Sequence, residues 1–237
     1  MLGLQAVREC VRARGREILE LFVAADGGPQ VAALERFARD QGVASVQRVD
    51  RGRLDQMARG VQHQGALALA PSLKLHELGE LLADPNLVAV ALDRIQDPQN
   101  FGAVVRSAVG IGAAAVIWGE NASAPLTPAT FRAAAGAIEH ARLCRVPSLV
   151  TAIQQAQAAG VSVIGLAADA PALLTSLDLR QPTIVVIGSE GQGLQAAVRR
   201  ACSHQAALVR PGQIDSLNAS VAAAIALYEV AKSRGLS

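Results

Sequence analysis

The sequence predicts an α/β protein made of a small N-terminal unit and a larger C-terminal one, and three observations predict it. Apolar residues make up 51% of the chain but aromatic ones only 3%, so the interior must be built from Ala, Val, Leu and Ile, as helices packed on sheets. Short apolar runs alternate with stretches of helical periodicity along nearly the whole chain. A length of 237 residues is enough for two separate cores.

In the N-terminal unit, residues 2–14 read as an amphipathic helix and 17–24 as a strand. Residues 29–41 read as a helix opened by Pro29 and stopped by Gly42. A strand over 43–49, an Asp-capped helix over 50–59 and a strand over 66–70, ended by Pro71, complete an alternation of the kind parallel sheets require. A helical connector covers about 75–83. Residues 87–92 form an uninterrupted apolar run, the mark of a strand covered on both faces. Beyond it the pattern predicts helix 100–110, strand 114–118, helix 127–135, strand 141–146, helix 148–159, strand 161–167, strand 183–187, helix 193–202, strand 205–209 and helix 217–232. The expected division is 1–72 for the first unit, 73–84 for a linker and 85–237 for the second.

The formal net charge is only +2, but it is unevenly spread: residues 1–75 hold eleven Arg/Lys against eight Asp/Glu, and the remainder eleven against twelve. The Arg clusters at 8–16 and 48–59 read either as solvated helix faces or as contacts to phosphate oxygens. With one Trp, one Tyr and four Phe, extensive base-stacking platforms are excluded, and any RNA would be held mainly by its phosphates. The cysteines Cys10, Cys144 and Cys202 form no C-x-x-C pair, which argues against a disulfide framework or a zinc site, so no metal is expected. No basic segment leads into an apolar stretch and cleavage site, and no apolar run reaches the ~20 residues that span a bilayer. The expectation is a cytoplasmic protein without a membrane partner.

Three loops at predicted strand ends, where open α/β sheets place their ligands, carry the unusual residues. In the first, Asp97-Pro98 forms a turn and Asn100 can cap the following helix. Arg106 on that helix stands alone among small apolar residues, and burying it would be costly unless an anion met it. In the second, the apolar strand 184–187 runs into Gly188-Ser189-Glu190-Gly191-Gln192-Gly193, whose glycines let backbone approach a ligand. Glu190 in its centre points to a cationic or hydroxyl-bearing ligand. The third, 211–220, holds Ser216 and Asn218; one suffices as a helix cap, which leaves the other for a cleft.

Two patterns are decoys. Gly110-Ile111-Gly112-Ala113-Ala114-Ala115 fits a dinucleotide fingerprint in letters, but it lies between a helix and a strand, the reverse of the required order. Gly188-Ser189-Glu190-Gly191 lacks the spacing of a nucleophile elbow.

Taken in order, Asp97-Pro98-x-Asn100-x-Gly102-x-x-x-Arg106-x-Ala108, Ile187-Gly188-x-Glu190-Gly191-x-Gly193 and Ser216-Leu217-Asn218-x-Ser220 resemble the three motifs of SpoU/TrmH-type RNA 2′-O-methyltransferases of the SPOUT class. The resemblance spans roughly 87–232. The N-terminal unit, with Gly3-Leu4-Gln5-Ala6-Val7 and His63-Gln64-Gly65, is similar to the RNA-binding domain of the bacterial large-subunit ribosomal RNA guanosine 2′-O-methyltransferases, itself similar to a ribosomal protein fold. The resemblance implies a deep trefoil knot, a homodimer, RNA as partner and S-adenosylmethionine as cofactor. It carries Gly188, Leu208 and Leu217 over as cofactor-binding positions, and Asn100, Arg106, Glu190, Ser216 and Asn218 as catalytic ones. Arg8, Arg12 and Arg106 are the expected RNA contacts. The chain departs from the family pattern at Leu208-Val209-Arg210-Pro211. Arg106 would serve as base, phosphate clamp or both; a guanidinium is too weak an acid to act readily as a free base, which favours the clamp. The alternatives to ribosomal RNA methylation are tRNA ribose methylation and non-catalytic RNA binding on the same fold.

Overall fold

The computed structural model describes residues 1–113, 115–121, 126–209 and 216–235. In chain order the elements begin α1 (Leu4–Arg14), β1 (Glu20–Ala24), α2 (Pro29–Asp40), β2 (Val46–Val49), α3 (Arg51–Ala58), β3 (Ala66–Leu69) and α4 (Leu78–Leu82). They continue with β4 (Val88–Asp93), α5 (Pro98–Ile111), β5 (Ala115–Gly119), α6 (Pro128–Ala133), β6 (Arg142–Val146), α7 (Leu149–Ala158) and β7 (Ser162–Leu166). The last are β8 (Thr183–Gly188), α8 (Ala196–Ala201), β9 (His204–Ala206) and α9 (Ala219–Ser233). The chain divides into two compact units, Met1–Leu73 with Leu126–His140, and Lys74–Pro125 with Ala141–Ser237.

In the first unit β1 is central, in the order β2-β1-β3. Its alternating side chains serve two cores. Leu21 and Val23 join Val7, Val11, Leu34 and Ala38 of α1 and α2, while Phe22 and Ala24 join Leu54 of α3 on the other face. The expected parallel pairing holds for β1 with β2, but β3 runs antiparallel to β1, with Glu20 opposite Leu69 and Val23 opposite Ala66. In the segment before β3, Arg59, Gly60, Gln64 and Gly65 all take positive φ. Alternation of element types does not by itself fix strand direction, which depends on the path of the connection.

The segment 126–140 follows β5 in sequence yet belongs to this first unit. Thr127 caps α6 through Thr130 N, and the 3₁₀ turn Ala137–His140 is tied down by an ion pair and a histidine–carboxylate hydrogen bond. Arg14 Nε lies 2.5 Å from Glu139 Oε2, with the Glu139 side chain only 2% exposed, and His140 Nε2 lies 3.0 Å from Glu9 Oε2. The division at residue 72 did not anticipate this, because pairs more than a hundred residues apart leave no local pattern.

The second unit is a six-stranded sheet in the order β6-β5-β4-β8-β7-β9, parallel throughout. Ala89, Ala91, Ile117, Val163 and Val186 pack with Leu149, Ile153 and Val198 of α7 and α8. The other sheet face is covered by α5 and α9, and there the Phe101 and Trp118 rings meet edge to face at 5.3 Å. Both helices bury small residues, Gly102 and Ala108 on α5 and Ala219, Ala223 and Ala226 on α9. Several elements are shorter than expected; in this unit α8 starts at Ala196 rather than 193, and β9 spans three residues.

All three cysteines are free, Cys10 and Cys144 buried and Cys202 half-buried. Burial pushes their thiols up to about 12, 11 and 12 respectively. Among the described residues no helix is long and apolar enough to cross a membrane.

Candidate active site

The site begins with a register. β4 and β8 are neighbours at the centre of the sheet, with Leu92 opposite Ile187 and Asp93 opposite Gly188. Both chains therefore leave the sheet side by side at its carboxyl edge, where open parallel sheets bind ligands.

After β4 the backbone turns through Arg94, at φ 58, and reaches Asp97. That carboxylate caps α5 by accepting from Gln99 N at 3.0 Å, with Pro98 in the first turn. Asn100, read from sequence as a possible cap, is thereby left free for other contacts.

After β8 the loop closes on itself. Gly193 N donates to Ser189 O at 2.8 Å, and Gly191 and Gly193 take φ 75 and 65. A Cβ at Gly188 would sit 2.1 Å from the Gly193 carbonyl carbon and 2.4 Å from Leu194 N, so only glycine fits there. The glycines thus serve a tight reversal, and α8, at six residues, begins too late for its N-terminus to follow the loop directly.

Residues 93 and 94 hold this loop from the side. Asp93 Oδ2 accepts from Gln195 N at 2.6 Å, and Arg94 Nη1 donates to Gln192 Oε1 at 3.0 Å. Asp93 is only 4% exposed. Burial raises its carboxyl above the ordinary aspartate range, opposed by the Gln195 hydrogen bond and the Arg94 charge. Arg94 Nε is buried and makes no hydrogen bond among the described residues. Sequence reasoning missed both; the signal was a charged pair directly following the buried run 87–92.

Of the third segment, 211–215 and Arg210 lie outside the described residues. Asn218 does two jobs. Its Oδ1 caps α9 by accepting from Ser220 N at 2.9 Å and Val221 N at 3.3 Å. Its Nδ2 lies 3.0 Å from Asn100 Oδ1 and 2.5 Å from Glu190 Oε1. Asn100 Nδ2 in turn donates to Glu190 Oε1 at 2.8 Å. One residue from each of the three loops thus meets at a single carboxylate.

Beside this junction lies a cleft of about 620 Å³, lined by Gly188, Leu208 and Leu217 as well as Glu190 and Ser216. Leu166 and Asp169 border it too, and Asp169 pairs with Arg199 at 3.0 Å; sequence reasoning had singled out neither. Arg199 lines the cleft as well and offsets Asp169, so apolar walls, backbone and the Glu190 carboxylate suit a flat, mixed-polarity ligand that carries positive charge.

Arg106 is placed differently. It is not among the residues lining the cleft, and it is exposed rather than a buried cation in need of an anion. Six residues beyond Asn100, it lies about 240° further around the helix. It has no hydrogen bond or ion pair among the described residues. Arg8 and Arg12 belong to the first unit and are exposed; Arg12 pairs with Glu9 at 2.5 Å. No group of three metal-ligating His, Cys, Asp or Glu side chains occurs among the described residues.

Two outcomes test this geometry. Gly188→Ala places a methyl group into backbone, so the variant should lose about 1–3 kcal/mol of stability and weaken ligand binding in the cleft; wild-type melting and binding would show that the loop does not need its close approach. For Asp93 the raised folded value means that the native state holds this proton more tightly than the unfolded chain. Its stabilising contribution is full below the ordinary aspartate range and is lost as pH rises through the raised value. Asp93→Asn should therefore gain stability relative to wild type between pH 4 and pH 7, read by thermal melts at both. A difference that does not change with pH would contradict burial as the dominant influence.

Comparison with known proteins agrees with this arrangement. Residues 87–228 match the SpoU rRNA Methylase family, and residues 2–75 match the RNA 2′-O ribose methyltransferase substrate-binding domain. An uncharacterised tRNA/rRNA methyltransferase of Mycolicibacterium vanbaalenii is 37% identical over 99% of this chain and 76% of its own length. Another, of Mycobacterium avium, is 38% identical over 99% and 77%. Among solved structures, the SpoU methyltransferase AviRb of Streptomyces viridochromogenes in complex with AdoMet superposes with a TM-score of 0.80 at 23% identity, covering 100% of this chain and 90% of that one. An RNA 2′-O ribose methyltransferase superposes at 0.77 with 26% identity over 98% and 88%. The shared fold, the substrate-binding unit and the matching sequence over almost the whole chain have one reading: this protein belongs to the SpoU family of RNA methyltransferases.

Proposed function

We propose that the protein transfers a methyl group from S-adenosylmethionine to a ribose 2′-hydroxyl of RNA in the cytoplasm, its target a guanosine of large-subunit ribosomal RNA. The observation that carries the reading is the meeting of Asn100, Glu190 and Asn218 at the lip of the cleft. The ribosomal target is supported by the resemblance of the N-terminal unit, with tRNA as the competing substrate.

The cleft fits the cofactor. Its volume of about 620 Å³ lies within the range of small-molecule sites, Leu166, Leu208 and Leu217 offer apolar walls, and Glu190 borders it with negative charge, the Asp169 carboxylate being offset by Arg199, which also lines the cleft. Gly188, Leu208 and Leu217 are the residues to hold it. When bound, S-adenosylmethionine supplies the electrophilic methyl group. The chain's residues do the rest. Glu190, steadied by two asparagine amides, orients the ribose and cofactor edge, and Ser216 borders the same space. The attacking oxygen must lose its proton as the bond forms. Arg106, a guanidinium whose side chain has no partner among the described residues, is available to clamp the adjoining RNA phosphate. It stabilises the developing charge there while a phosphate oxygen takes the proton.

We assign the active form as a homodimer, supported by an exposed apolar stripe on α9. Val221, Ile225 and Tyr228, at 46%, 39% and 55% exposure, recur at helical spacing on one face. The trefoil path implied by the resemblance would involve the segment between β9 and α9, part of which lies outside the described residues.

With labelled S-adenosylmethionine, unmodified ribosomal RNA should acquire label on a ribose, and Arg106→Ala should lower kcat about 10²–10³-fold. Labelling of tRNA instead would replace the substrate, equal labelling by variant and wild type would remove Arg106 from the mechanism, and RNA binding without any transfer would leave a non-catalytic binder. Light scattering should give twice the chain mass, reduced to the monomer by Ile225→Asp; a wild-type monomer would overturn the dimer.

A further inference from the structure

The first unit holds a second cavity. About 440 Å³ in volume, it lies between α1 and α2 and is lined by Gln5, Arg8, Gln30, Leu34, Phe37 and Gln64 among others. The Arg8 guanidinium carbon stands 5.7 Å above the centroid of the Phe37 ring, so a planar cation is backed by an aromatic face. Its neighbour one turn on is different: Arg12 is paired with Glu9 at 2.5 Å, and Glu9 also meets His140. Arg8 has no ion pair among the described residues, and no carboxylate lines the cavity. The three amides are only partly committed. Gln64, at φ 51, spends its Oε1 on Leu4 N at 3.2 Å, and Gln5 spends its Nε2 on Glu9 at 3.3 Å. The Gln30 side chain has no hydrogen bond among the described residues.

We infer that this cavity is a recognition slot for one unpaired nucleobase of the RNA substrate. A base stacks on the free face of the Arg8 plane, and the remaining donors and acceptors of Gln5, Gln30 and Gln64 read its edge. An arginine plane and carboxamides are the groups that grip splayed-out bases in RNA complexes. A phosphate site would have no use for an aromatic backing or for three amides. The single ring accords with an aromatic-poor chain: it serves one base rather than a stacking platform. The inference rests on RNA being the substrate, as proposed above, and assigns a part of the chain away from the methyl-transfer chemistry.

The test uses the full-length protein and a short RNA hairpin with one 2-aminopurine in its loop, against the same hairpin abasic at that position, both followed by anisotropy without S-adenosylmethionine. Wild type should prefer the base-bearing hairpin by about tenfold, within the range of one stacked base, with quenching of the 2-aminopurine. Arg8→Lys, which keeps the charge and loses the plane, should abolish that preference, and Gln30→Ala should reduce it several-fold. Arg12→Ala should affect both hairpins alike and leave the ratio unchanged. These positions are exposed, so folding is preserved, and circular dichroism checks it. Equal binding of both hairpins by wild type, or an undiminished preference in Arg8→Lys, overturns the slot. Absence of methyl transfer would defeat the proposed reaction without touching this readout.

Discussion

The register between β4 and β8 is the constraint on which the rest of the second unit depends. With Asp93 opposite Gly188, two loops distant in sequence emerge at one point of the sheet edge. The buried Asp93 carboxylate then fastens the far end of the second loop to the end of the first strand through Gln195 N. Moving this pairing by one residue would turn Asp93 to the opposite face of the sheet and release the loop. Gly188 shows the same constraint in steric form, since the loop folds back so tightly that no side chain fits beneath it.

Onto that frame the junction of Asn100, Glu190 and Asn218 is built by dividing labour among capping residues. Asp97 caps α5, which frees Asn100 to span the gap to the second loop. Asn218 caps α9 with its oxygen and reaches the junction with its nitrogen, so the helix start and the site share one side chain. A carboxamide carries its acceptor and its donors on separate atoms, which suits such a double task. The carboxylate at the centre gives the cleft a negative margin, which suits a sulfonium and repels a free phosphate.

The two units meet RNA chemistry by different means. In the first, ion pairing sorts the arginines: Glu9, Glu35, Asp26 and Glu139 take up Arg12, Arg39, Arg48, Arg51 and Arg14, so the raw charge excess overstates the free positive surface. Arg8 stands outside those pairs and over a ring. In the second, Arg106 is exposed on α5 and is not among the residues that line the cleft.

The order and type of nearly every element follow from the sequence by itself, because apolar periodicity, Pro at helix starts and Gly at helix ends are local physics. The three loops that meet at Glu190 were visible there as well, as glycines and polar residues in places where a plain turn would not need them. Tertiary structure alone decided which of those residues touch. It reversed β3, gave the cap of α5 to Asp97, brought Asp93 and Arg94 into the site, set Arg106 on an exposed face and gathered 126–140 into the first unit. Each depends on strand direction, register or a contact between residues far apart in the chain, and single-residue propensities carry no record of such partners.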